Sequence, residues 1–130
     1  MKVLVLIGRI LFSLIFLLSG FHHFDAGTIA YASNAGVPAA SVLVPVSGVM
    51  AMLGALSIIL GFKARLGGWL IVLFLIPVTF VMHRFWEVKD PMMQQMQMAM
   101  FMKNLSMLGG AFIIAYFGAG PLSIDAASKK

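Results

Sequence analysis

The chain has 130 residues, of which 62% are hydrophobic and only 10% charged, and it contains no cysteine. A soluble domain carries roughly 25% charged residues, and one this small buries only about two-thirds of its surface, so a chain this apolar must meet lipid. The lack of cysteine excludes thiolate catalysis, disulfides, iron–sulfur clusters and sulfur-ligated zinc, and a net charge of +5 reads as attraction to anionic lipid with no nucleic acid required.

Four apolar segments follow in order. The first, residues 3–24, is interrupted only by Arg9. Lys2 ahead of it resembles the start of a signal peptide, but the run is too long and no A-x-A site follows, so an uncleaved helix is expected. A polar connection, DAGTIAYASNAGVP, leads to the second segment, 39–61, which carries no charge. The tight turn FKAR, with Lys63 and Arg65, separates it from the third, 66–86, where Pro77 is expected to kink the helix. RFWEVKDPMMQQMQM then leads to the fourth, 99–118, after which Gly118, Gly120 and Pro121 stop the helix and leave a short frayed tail over 119–130. Each segment is near the ~20 residues that cross a hydrocarbon core of ~30 Å. Backbone amides in lipid must pair within their own segment, so these are helices. The expected fold is all-α: one domain over 1–130, an integral membrane four-helix bundle.

Four spans place both termini on the side of the FKAR turn. That side holds Lys2, Lys63, Arg65, Lys129 and Lys130, with Arg9 just inside; the other holds Arg84 and Lys89, offset by Glu87 and Asp90. The positive-inside rule then makes both termini cytoplasmic, in a multi-pass membrane protein.

This orientation collects the unusual polar residues at the outer end. His22, His23 and Asp25 end the first helix there, His83, Arg84 and Glu87 end the third, and Lys103 and Asn104 enter the fourth. At about 100° per residue, Arg9, Ser13, Phe16, Gly20 and His23 share a stripe from which His22 points away. Val72, Ile76, Thr79, His83 and Glu87 share a face of the third helix. Met92, Met96, Lys103, Met107 and Gly110 share one on the fourth, if that helix begins early. Ser47, Ala51 and Ala55 form a small-residue face on the second helix, suited to close helix packing within the chain or in a homodimer. An outer polar chamber lined by His23, His83, Arg84, Glu87, Lys103 and Asn104 is therefore expected, with His22, Arg9 and Thr79 as secondary candidates.

Plainer readings stand beside these. The histidines can simply mark headgroup depth, Arg9 can snorkel to the cytoplasmic headgroups, and Ser13 and Thr79 can bond their own backbone carbonyls. Gly67-Gly68 and Gly109-Gly110 suit close helix packing. PMMQQMQMAMFMKN, residues 91–104, holds six of the 11 methionines. It reads as an amphipathic entrance to the fourth helix, with Asp90 as N-cap and Pro91 in the first turn; its thioethers also suit copper(I).

Several stretches carry a family resemblance: GRILFSLIFLLSGFHHF at the start, the GVP of Gly36 to Pro38, LGALSIILGFKARLGGWL from Leu53, TFVMHRFW from Thr79, and FMKNLSMLGGAFIIAYFGAGPLSID from Phe101. Together they resemble the DoxX-like family of small four-helix inner-membrane proteins over nearly the whole chain. That family takes its name from a subunit of a thiosulfate:quinone oxidoreductase, and relatives are linked to oxidative-stress complexes. The resemblance therefore implies an accessory or quinone-interacting subunit, working with a membrane-associated redox enzyme. Many relatives carry a glutamate on the second helix where this chain has Ala51, so any proton-transfer role of that acid is absent or moved.

Three functions from different classes follow. A quinone-linked subunit would use His23, His83, Arg84 or Lys103 to bond the carrier's carbonyls, with electrons supplied by a bound cofactor or partner. A non-catalytic scaffold would recruit soluble partners to the membrane. The lesser alternative is haem or copper, held through His22, His23, His83, Met92 and Met96 at the outer interface. No nucleotide-binding loop, catalytic triad or HExxH motif is present.

Overall fold

The structure, a computed structural model, describes residues 1–129. Lys130, assigned above to the basic face, lies outside the described residues. The described residues form six α-helices and one 3-10 turn: α1 Lys2–His22, α2 Ala26–Asn34, α3 Ala40–Leu60, α4 Ala64–Met82, the turn Phe85–Glu87, α5 Pro91–Phe117 and α6 Ile124–Ala127. Four of them, α1, α3, α4 and α5, are long and apolar enough to cross a membrane, and the start of α1 and the segment after α5 lie at one face of the bundle.

The helices pack in the chain of neighbours α1–α3–α4–α5. Lipid is as apolar as leucine, so these pairs cannot form to hide surface from water and instead rely on close backbone approach. Three crossings supply it. A methyl group added to Gly20 of α1 would sit 2.8 Å from the Gly48 carbonyl of α3, and the reverse substitution meets Gly20 equally. Gly54 of α3 and Gly67 of α4 would each place a methyl 3.1 Å from the other's carbonyl. Gly68 of α4 lies against Ala111 and Ala115 of α5. Between the crossings Phe16, Ala51, Ala55, Ile58, Ile71 and Leu75 form the core. The small-residue faces that could have met a second copy are thus filled inside this chain. Gly109 is an exception: it faces open space.

Five local features depart from the sequence reading. The polar connection after α1 contains α2. Asp25 precedes it in extended conformation, and Gly36 ends it at φ 101°. Gly36 N–H donates to Ser33 O and Val37 N–H to Ala32 O, both at 3.1 Å, the paired bonds of a Schellman ending. Ile29 and Ala32 then bury against Val44 and Met82. A helix of nine residues is too short to announce itself by periodicity, and this packing is what stabilises it.

The third span begins at Ala64, inside the FKAR stretch, and ends at Met82 rather than Trp86. Arg84 Nε donates to the Val81 carbonyl at 3.2 Å, so the side chain occupies an acceptor that a further helical turn would have used. The fourth span starts eight residues earlier than its apolar run, at Pro91. Asp90 accepts from Met93 N–H at 3.3 Å, and at 1.5 Å per residue the resulting helix is about 40 Å long.

The fifth departure is the tail, which is docked, not frayed. The Asp125 carboxylate accepts from Lys63 N–H at 2.8 Å and Ala64 N–H at 2.9 Å. It thereby caps α4 from more than 60 residues away, where a local Asp or Ser would ordinarily serve. Asp125 N–H also donates to Gly61 O at 2.8 Å. Arg9 completes the lock. Only 4% exposed, it turns inward and donates to the carbonyls of Ala119 and Leu122, so it does not snorkel to headgroups. Ser13 and Thr79 are buried without a hydrogen-bond partner among the described residues, so neither bonds its own helix.

Two stability outcomes follow from this packing. Gly67→Leu should lower the unfolding free energy in mixed detergent by about 1–3 kcal/mol through overpacking, whereas Gly109→Ala, in open space within α5, should raise it by about 0.5–1 kcal/mol. Asp125→Ala should cost about 0.5–2 kcal/mol, the usual loss of an N-cap, and expose residues 118–130 to limited proteolysis that leaves the wild-type tail intact.

Candidate functional site

At the face opposite the termini the bundle loosens. Pro45 in α3 and Pro77 in α4 lack the N–H that would bond the carbonyls of Ser41 and Leu73. Between them, bounded by α1, α2, α3, α4 and α5, lies a partly open cavity of about 520 Å³. Its walls are mainly apolar, with Phe16, Val44, Met50, Phe74 and Met107 on its deeper side. Its polar side chains are Ser19, His23, Thr28, Ser47, His83, Lys103 and Asn104.

His23 reaches the cavity because it continues the buried stripe of α1, on which Arg9, Ser13, Phe16 and Gly20 are all buried. Its Nδ1 lies 2.7 Å from the Ser19 carbonyl, and its ring meets Phe74 edge-on at 5.4 Å. His83 follows the last turn of α4, and its Nδ1 lies 2.8 Å from Gln97 Oε1 of α5. Gln97 Nε2 in turn donates to the Tyr31 hydroxyl of α2 at 3.3 Å.

Asn104 is 4% exposed and lines the cavity. Its amide makes no hydrogen bond among the described residues. Lys103 sits at the rim, exposed, with Nζ 3.4 Å from Met100 Sδ.

Arg84 and Glu87 do not line the cavity. Because α4 ends at Met82, the register that would have carried Glu87 onto the His83 face is lost, and the 3-10 turn carries it outward. The two pair with each other at 3.5 Å, and Arg84 Nη2 donates at 2.6 Å to the carbonyl of Ala35, which caps the end of α2. Arg84 and Gln97 therefore tie α2 to the α4–α5 side at two points. The inner face of α5 is also displaced from the expected one. Gln97, Asn104 and Ala111, spaced by seven, point inward, while Met92 is 73% and Met96 58% exposed.

His22 is exposed and faces Asp25 at 3.3 Å, away from the cavity. Thr79 lies in the core one turn before His83, Arg9 is at the far end of the bundle, and Ala51 is fully buried in the core. The described residues contain no group of three His, Asp or Glu side chains placed to hold a metal ion. His23 and His83 are the cavity's ionisable ligand candidates, each with Nδ1 engaged and Nε2 left over. The sequence reading missed Gln97, Tyr31 and Asp125. Only the seven-residue spacing of Gln97, Asn104 and Ala111 offered a signal for the first. Chemically, the cavity can take an amphipathic ring, with its apolar side in the bundle and its polar edge among the imidazoles and the Asn104 amide.

Comparison with known proteins agrees with this architecture. The DoxX family profile matches residues 4–84, from α1 to the end of α4, a span that includes His23 and His83. The inner membrane protein YphA of Escherichia coli (strain K12) is 32% identical over 126 residues, covering 95% of this chain and 89% of that protein. Inner membrane protein YqjF of the same organism is 30% identical over 128 residues, covering 97% and 92%. No solved structure matches. With four spanning helices and relatives of this kind along nearly its whole length, the chain is a multi-pass inner-membrane protein belonging to the DoxX family.

Proposed function

We propose that the protein is a quinone-binding membrane subunit serving oxidoreduction or the oxidative-stress response. One observation carries this reading: an apolar cavity of about 520 Å³ at a membrane face, with the buried Asn104 amide unpartnered and two histidines at its polar end. That volume falls within the roughly 300–1,000 Å³ of small-molecule sites, and a mostly apolar wall with a few convergent polar groups is their usual chemistry. A lipid-soluble ring with polar substituents at one end fits such a space and reaches it from the bilayer. The side chains hold no redox centre of their own, so the bound carrier would bring the electrons and a partner enzyme would exchange them.

The charge distribution supports a direction. Lys2, Lys63, Arg65 and Lys129 lie at the terminal face, with Asp125 as its acid. Arg84 and Lys89 at the cavity face are balanced by Glu87 and Asp90. The termini are then cytoplasmic and the cavity opens toward the outer leaflet.

Purified gently from native membranes, the protein should carry quinone detectable by mass spectrometry. His83→Ala should raise the Kd for the reduced, hydroxyl-bearing carrier about fivefold, as expected for one lost hydrogen bond of ~1 kcal/mol. A quinone-free preparation that still complements a deletion strain would sink the proposal and favour a scaffolding role. Fluorescent protein fused to the C-terminus should be bright, and alkaline phosphatase fused there inactive; the opposite pattern would reverse the orientation.

A further inference from the structure

The hydrogen-bond partners of the cavity histidines decide what the cavity can bind. A neutral imidazole has one N–H and one bare nitrogen, and the partner of one ring nitrogen determines the state of the other. His23 Nδ1 lies 2.7 Å from the Ser19 carbonyl oxygen. A carbonyl can only accept, so Nδ1 carries the proton and Nε2 is left as an acceptor. His83 Nδ1 lies 2.8 Å from Gln97 Oε1, with the other end of that amide engaged by Tyr31. In this arrangement Nδ1 again donates and Nε2 again accepts. Neither Nε2 has a hydrogen-bond partner among the described residues. The cavity therefore offers two pre-oriented acceptors, both anchored by other parts of the chain.

We propose that the cavity selects a hydroxyl-bearing ring, holding a hydroquinone more tightly than the quinone it is oxidised to. This deepens the quinone-site reading and rests on it. A quinol O–H donates to a bare Nε2. A quinone carbonyl brings only lone pairs and leaves both Nε2 atoms desolvated without a donor, which is the unfavourable case for any buried polar group.

The opposing groups are weaker selectors. Lys103 favours a carbonyl, but it is exposed at the rim and rests against Met100 Sδ at 3.4 Å. Asn104 presents both a donor and an acceptor, so its amide serves either ring form. The imidazoles and Ser47 take their hydrogen-bonding sense from fixed partners: Ser47 Oγ donates to the Val44 carbonyl at 2.7 Å, so it too is left to accept.

The test uses the whole protein in lipid nanodiscs, with decylubiquinone, its quinol, and the quinol's dimethyl ether as probes. The dimethyl ether keeps the ring and its size but has no O–H to donate. Under anaerobic conditions the quinol should bind about tenfold more tightly than the quinone, and the midpoint potential of the bound couple should rise by about 30 mV, the two-electron equivalent of tenfold. The dimethyl ether should bind no better than the quinone. His23→Phe and Gln97→Leu should each shrink the potential shift. Equal binding of the two forms, a lowered potential, or tight binding of the ether would overturn the selectivity and leave the quinone site standing. If neither ring form binds, both readings fall together.

Discussion

Close backbone approach between helices is the constraint on which this molecule depends. In a bilayer two helices gain nothing by hiding leucine from lipid, so association must come from dispersion contacts and hydrogen bonds that lipid cannot supply. Gly20 with Gly48, Gly54 with Gly67, and Gly68 with Ala111 and Ala115 bring three helix pairs together at distances that exclude even a methyl group. The core between them consists of interlocked Phe16, Ile58, Ile71 and Leu75 around two alanines. Large apolar side chains meanwhile face outward, as a lipid-solvated protein requires.

Two kinds of polar group modify this scaffold. At the terminal face Arg9 and Asp125 satisfy backbone groups that a helical hairpin leaves unpaired: Arg9 serves carbonyls of the chain after α5, and Asp125 serves the first N–H groups of α4. The short tail thereby joins the first, third and fourth spanning helices with few residues. At the opposite face the two prolines interrupt helical hydrogen bonding, and α2 fills only part of the gap. The contrast between a locked end and a loosened one places the cavity. It also explains why Arg84 and Gln97 are spent on tying α2 in place.

Polar side-chain atoms without partners fall into two classes. The Arg9 Nε and the Ser13 and Thr79 hydroxyls are buried with no partner among the described residues. The Asn104 amide and the two imidazole Nε2 atoms, by contrast, face a space that a molecule can enter. An unmet hydrogen-bonding group at a cavity wall is a demand on the ligand, and the sense of that demand follows from what holds the side chain behind it.

Much of this was legible in the sequence. Four long apolar segments and scarce charge determine a helical membrane bundle, because backbone amides in lipid have no other solution. The stripe from Arg9 to His23 was readable because α1 is regular throughout, so a period of 3.6 carries position faithfully along it. The N-cap at Asp90 was readable because caps are local. What only the tertiary structure decided depends on where regularity ends. Glu87 left the site when α4 stopped at Met82, and Gln97 replaced Met92 and Met96 on the inner face of α5 because Gly68 sets that helix's rotation through Ala111 and Ala115. The α2 helix exists only through its contacts with Val44 and Met82, and Asp125 caps a helix more than 60 residues away in sequence. Composition and periodicity report what a segment does alone, whereas these features are settled by another segment's backbone groups and by the space its small residues leave.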